Sequence, residues 1–456
     1  MTSIRKFWLG TAIVVPAVAI FALELGACSS SNPTTAAACA APDGGAPAIT
    51  GAGFTTKPFA PPCDPGSGGI LFSASGEVLA LRGFKFPPND PVNDTYMIDG
   101  WDFVLTEYIS VFDHITLWDN PNAVPMDQSK HGAVVAHVDG PWVADLHKGG
   151  PLAGKGGAGE QATPITAIAK MDNGHAFDPA TTYAFGFSTV AASASGAYNV
   201  NLDASEAADY AYMVQNGHSV LYVGTATWAG GTGNPLGPCT QTNAGLGAAP
   251  GPTDGGDDGG SDGASAYDYS KMPASFQFRM GFNTPTNYVN CQNGTDLSGM
   301  GVNGEAHPRG VQVKANQSIV AQVTIHMDHP FWQSFAENSP LRWDQIAGQY
   351  VGVSGVPVVH TEDMKGVSFL AFTDKAGTPL PWRNCSGANG MPPGNGQMNF
   401  DPLTVPIDPN ATDPAKALRD YYDYMRYTQA TQGHLNSQGL CSIVRQYASP
   451  GGGSAP

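Results

Sequence analysis

The densest set of side chains with ligand chemistry is His326-Met327-Asp328-His329, followed downstream by His360, Glu362, Asp363 and Met364. Imidazole with thioether suits copper, and imidazole with carboxylate suits zinc or another divalent ion. The residues leading into the set alternate. Gln322, Thr324 and His326 fall on one face of a strand, and Val323, Ile325 and Met327 on the other. A histidine closing that strand, a second just after it and His360 from another strand end make the expected metal set of His326, His329 and His360, with copper or zinc as the ion. The competing reading has Asp328 cap a helix begun near Pro330, with the histidines filling hydrogen bonds at a strand end. A second group, His114, His131, His137 and His147, has no ligand spacing.

Enzyme signatures are missing. There is no His-Glu-x-x-His, no dinucleotide glycine fingerprint and no Walker loop, and Gly154-Lys155 lacks the spacing and hydroxyl of a phosphate loop. Gly259–Gly263 spells Gly-x-Ser-x-Gly, but in Gly/Asp-rich sequence with no strand-to-helix elbow. Paired-carboxylate chemistry is set in space rather than in sequence and stays open. The chain therefore reads more as a binding protein than as an enzyme, with an envelope hydrolase as an alternative. Trp101, Trp118, Trp142, Trp228 and Trp382 lie near strand ends or loops, where an exposed indole could stack on a sugar or cell-wall glycan.

The elements that must position these residues are strands. Runs at Gly69–Ser75, Glu77–Phe86, Trp101–Trp118, Ala133–Val138, Trp142–Leu146, Thr182–Val190 and Val220–Trp228 are bounded by turn residues. Ala274–Phe282, Val311–Val313, Ser318–His326, Val351–Val359 and Gly366–Phe372 continue the pattern. In Tyr108–Trp118, Asp113 falls on the apolar face with Ile109, Val111, Ile115 and Leu117. It must accept hydrogen bonds from a loop, act as a ligand, or be turned outward by a bulge. Short helices are expected within Asn201–Asn216, near Pro330 and at Ser339-Pro340. A longer one is expected over Pro414–Gln432, with Asp413 as N-cap and Gly433 as C-terminal cap. The fold class is mainly β: antiparallel β-sandwich-like regions with long Gly/Pro-rich loops and a C-terminal helix.

The chain of 456 residues carries a formal charge of −17, and only 13% of it is charged, while Gly reaches 57 and Pro 37. An acidic body with few lysines argues against nucleic acid as a partner. Among Asp254, Asp257, Asp258 and Asp262 no calcium-loop spacing occurs.

At the N-terminus, Arg5 and Lys6 precede an apolar run, Phe7–Leu23, interrupted by Pro16 and shorter than the roughly 20 residues of a spanning helix. It ends in Leu25-Gly26-Ala27-Cys28, which resembles the lipobox of bacterial lipoproteins. That resemblance implies cleavage before Cys28, lipidation of its thiol and attachment to the membrane through the lipid. Glu24, inside the end of the apolar run, departs from the pattern. Ser29 stands where an aspartate would imply inner-membrane retention, so the resemblance implies a cell-envelope, outer-membrane protein, on either face. The layout across residues 67–456 is similar to the β-rich bodies of Gram-negative envelope lipoproteins, a likeness of composition that carries no functional residues.

With Cys28 lipidated, six cysteines remain for disulfides in an oxidising compartment: Cys39, Cys63, Cys239, Cys291, Cys385 and Cys441. Nearest-neighbour pairing joins Cys39 to Cys63, Cys239 to Cys291 and Cys385 to Cys441. The expected organisation is a signal peptide (1–27), a lipidated N-terminus and flexible tether (28–66), a β-sandwich region (67–228), an acidic Gly/Asp-rich loop (229–270), a second β region (271–410) and a C-terminal helix and tail (411–456).

Overall fold

Alternating apolar residues between Gly, Pro, Asn and Asp turns produce strands along most of this chain. The computed structural model describes residues 45–62, 64–90, 94–230, 267–335, 339–369, 372–381, 383, 385 and 418–447. The first half contains β1 (Thr50–Gly51), β2 (Phe54–Pro58), β3 (Ile70–Ser75), α1 (Glu77–Arg82), β4 (Trp101–Trp118), β5 (Val134–Val138), β6 (Trp142–Asp145), β7 (Leu152–Ala153), β8 (Gln161–Ile168), β9 (Thr182–Thr189), β10 (Ser195–Asn199), α2 (Ala207–Asn216) and β11 (Val220–Trp228). The second contains β12 (Ser275–Phe282), β13 (Thr286–Val289), β14 (Val311–Gln312), β15 (Ile319–Ile325), α3 (Asp344–Ala347), β16 (Val358–Val359), α4 (Tyr421–Gln429), β17 (Gly433–Leu435), β18 (Gly439–Leu440) and β19 (Ser442–Arg445).

Among the described residues, thirteen strands form one sheet in the order β1-β2-β10-β6-β4-β11-β12-β16, with β5, β9, β13, β14 and β19 branching from it. Six form a second sheet in the order β18-β17-β15-β3-β8-β7. The protein is mainly β, as its composition predicts, but both sheets are mixed. β3 runs parallel to β15, and β12 parallel to β16. The sheets share one apolar core. The Phe72 ring on β3 stacks 5.9 Å from Phe185 on β9, and the Tyr108 hydroxyl on β4 donates to the Ile325 carbonyl at 3.2 Å.

Long-range pairing redraws the expected boundaries. β11 pairs with β12 from Val220↔Phe282 to Thr227↔Ser275, so the two expected β regions contribute to the same sheet. The tether expected over 28–66 is folded in its second half. β2 pairs with β10, and Phe54 is buried with its ring 4.8 Å from Tyr210. Of the acidic loop expected over 229–270, residues 231–266 lie outside the described residues.

One strand expectation and two helical ones also shift. The run at Glu77–Phe86 begins with α1 rather than a strand, since a short apolar run does not separate the two by period. No helix opens at Ser339-Pro340; the next one, α3, begins at Asp344. The C-terminal helix spans Tyr421–Gln429, with Asp420 as N-cap, whose carboxylate accepts from Asp423 N at 2.9 Å, and Ala430 as C-cap, so Gly433 opens β17 instead of capping. Asp413 and Pro414 lie outside the described residues.

Cys291 is bonded to Cys441, not to Cys239, with their Cα atoms 3.9 Å apart. Antiparallel pairing of β13 with β19, Val289 opposite Ser442, places the two cysteines side by side across 150 residues. Cys385 is disulfide-bonded as well, and not to Cys441. Cys28, Cys39, Cys63 and Cys239 lie outside the described residues. Among the described residues no helix is long and apolar enough to cross a membrane.

Candidate metal centre

The site is built where three strands of the smaller sheet meet. β3 and β15 are parallel and in register from Ile319↔Ile70 to Thr324↔Ser75, so Glu77 and His326 leave the sheet at the same end. β17 runs antiparallel on the other side of β15 and sets His434 opposite Thr324. Gly433 permits this approach, because a Cβ there would sit 2.4 Å from Tyr288 Cε1.

Gln322, Thr324 and His326 form the polar row expected from their alternation, while Ala321, Val323 and Ile325 join the core. Gln322 Nε2 donates to Glu160 Oε1 at 2.7 Å and to Thr324 Oγ1 at 2.9 Å; Thr324 Oγ1 accepts from Ser437 N at 3.0 Å. His326 Nε2 donates to the Ser437 carbonyl at 3.2 Å and lies 3.4 Å from Glu77 Oε1.

After Ile325 the chain turns through buried Met327 into one turn of 3-10 helix, His329–Phe331, with Pro330 in its first turn. This turn brings Asp328 and His329 back beside His326. One ligand atom from each of the three lies within 4.8 Å of the others. Asp328 makes no side-chain cap, contrary to the competing sequence reading. Its Oδ2 accepts from Trp332 Nε1 at 3.0 Å, and the Trp332 ring stacks on His329 at 3.8 Å, so one indole orients both groups.

The inner atoms are the informative ones. His329 Nδ1 meets Thr431 Oγ1 at 2.7 Å, but His329 Nε2 and Asp328 Oδ1 are buried without a hydrogen-bond partner. Two such atoms fall together in one ligand group, where a bound ion would satisfy both. His434 repeats the pattern. It is buried, neither ring nitrogen makes a well-formed hydrogen bond although the Thr431 backbone stands beside the ring, and its ring lies 4.1 Å from His326 and 5.7 Å from His329. Burial, followed by the nearby His326, holds His329 and His434 well below the ordinary imidazole range. Both are thus neutral, the form that binds metal.

Of the three expected ligands, His326 and His329 converge, with ring centroids 5.5 Å apart. His360 does not join their group. It follows β16 at the edge of the larger sheet, where it is half-buried, 3.7 Å from Asp363 Oδ2 and with its ring 6.1 Å from Tyr212. Asp328 takes the third place. His434 went unnoticed in the sequence because Gly433 reads as a helix cap, which hides the strand behind it.

The other candidates are dispersed or structural. His131 packs on Trp118, His137 pairs with Asp172 at 2.6 Å, and His147 Nδ1 meets the Ala80 carbonyl at 2.6 Å. Asp113 is resolved as an acceptor beside a bulge, taking hydrogen bonds from His114 N and Gly140 N at 2.8 and 2.7 Å. His114 and Asp139, with which it could form a second ligand group, are exposed. Trp101, Trp142 and Trp228 are buried and unavailable to a sugar; Trp382 lies outside the described residues. A carboxylate cluster surrounds Lys148, which binds Asp203 and Glu206. Burial pushes Glu107 up to about 8 and Glu206 up to about 7 in this cluster.

Comparison with protein-family models, with curated proteins and with solved structures found no match.

Proposed function

We propose that this chain is a lipid-anchored envelope protein that binds one divalent transition-metal ion through His326, Asp328 and His329, with His434 as a further imidazole beside them. The observation that carries this reading is the convergence of His326, Asp328 and His329, with one ligand atom of each within 4.8 Å of the others and with Asp328 Oδ1 and His329 Nε2 buried without a hydrogen-bond partner on side chains whose other polar atom is already fixed. Metal-binding histidines and carboxylates are oriented in this way by outer partners. Nitrogen donors with one carboxylate suit zinc or copper(II) and disfavour magnesium or calcium, which take oxygen. Buried Met327 and its neighbours favour binding over turnover of a large substrate.

The full chain, purified without a histidine tag in detergent and dialysed against chelator, is expected to take up about one equivalent of zinc or copper(II), measured by elemental analysis and titration calorimetry. Failure to take up either ion overturns the proposal. Anchoring rests on Leu25-Gly26-Ala27-Cys28. Growth with labelled palmitate is expected to label the wild-type chain and not Cys28→Ala; label kept by the variant would count against the anchor.

A further inference from the structure

The geometry points to Glu77 as the positioning carboxylate of this centre, holding the His326 ring through Nε2 while standing outside the ligand group; the inference rests on the metal reading above. Glu77 is the first residue of α1 and has φ +62°, a left-handed backbone that a long side chain rarely adopts. Its own N–H is taken by Ser75 Oγ at 2.9 Å, which stabilises the tight strand-to-helix turn. Glycine already stands next to it at Gly76, yet the strained position carries a glutamate.

An ordinary structural role would be to favour the positive end of a helix. That role needs neither this conformation nor burial, and α1 has only six residues and no side-chain cap. Instead the carboxylate turns inward. Its side chain is 13% exposed, and Oε1 lies 3.4 Å from His326 Nε2 and 3.5 Å from Gln438 Nε2. A carbonyl oxygen only accepts, so the bond to Ser437 O puts a proton on Nε2. Glu77 then faces a donating N–H, the relation in which an outer carboxylate orients a ligating imidazole and raises its basicity. Strain kept at one residue beside a ligand group is the mark of a functional constraint.

The test separates strain from binding. Glu77→Gly removes both the carboxylate and the backbone penalty, and Glu77→Asn removes the carboxylate with a residue that tolerates the left-handed region. Both full-chain variants are expected to melt at or above the wild-type temperature when metal-free, and to bind zinc roughly 10–100-fold more weakly. Glu77→Gln, which keeps an acceptor oxygen, is expected to fall between them and the wild type. The cobalt-loaded Gly and Asn variants should also show altered visible absorption. Unchanged zinc affinity in both variants, or a fall in melting temperature with unchanged affinity, overturns the role of Glu77 and leaves the metal reading standing. A wild-type chain that binds no zinc overturns the metal reading itself, and this one with it.

Discussion

Replacing His329 with alanine is expected to abolish zinc binding in the micromolar range while leaving a folded metal-free chain. His329 is fully buried, and its Nε2 is one of the two orphaned ligand atoms. In the metal-free chain, truncating a buried side chain costs roughly 2–5 kcal/mol for the cavity. Removing a buried nitrogen that has no partner returns about 1–3 kcal/mol of that. The net change is small enough for a well-packed core to tolerate. With zinc at a hundred times its dissociation constant, the wild type should gain about 2.7 kcal/mol of stability by mass action, and the variant nothing. Urea unfolding of both proteins with and without zinc measures the difference. Equal stabilisation of the two would show that zinc binds elsewhere, and the group of buried Asp113 with exposed His114 and Asp139 would be the next place to look.

Part of this centre is legible in the sequence. The alternation of Gln322, Thr324 and His326 marks a polar strand face, and the short step to His329 places a second imidazole at the same corner. These are local signals of period and spacing. The rest depends on which strands become neighbours. Glu77 reaches His326 only because β3 and β15 pair in parallel, and His434 arrives only because β17 adds to β15. His360 fails for the same reason, since its strand joins the other sheet. Cysteine pairing follows strand pairing too: β13 and β19 join Cys291 to Cys441 and override nearest-neighbour order. The β class survives these surprises because side-chain alternation and turn residues are local, whereas register and sheet membership are not.

Arg383→Ala is expected to destabilise the chain by about 3–5 kcal/mol, the usual loss when one member of a buried ion pair is removed and the other is left behind. Arg383 is fully buried, and its Nε and one terminal nitrogen bind the two oxygens of Asp344 at 2.9 and 2.5 Å. The guanidinium also lies over Trp228 and Tyr269, at 3.8 and 4.1 Å from their ring centroids. Asp344 accepts in addition from Trp101 Nε1 at 2.8 Å, and its backbone N–H donates to Asp99. Asp99 is itself held up to about 7, by burial first and by the charge of Asp344 second. Two carboxylates thus share a dry site with Arg383 and Arg342, and neither acid can move to water when Arg383 is lost. Alanine would strand Asp344 beside Asp99 and also empty the slot between two aromatic rings. Removing both charges at once should behave differently. Arg383→Met combined with Asp344→Leu keeps the volume and leaves no stranded ion, so the pair should recover most of the loss. Urea unfolding of the two single variants and the double variant gives the coupling directly. If the double variant is as unstable as Arg383→Ala alone, packing of the guanidinium between Trp228 and Tyr269, and not its charge, is what holds this corner of the larger sheet.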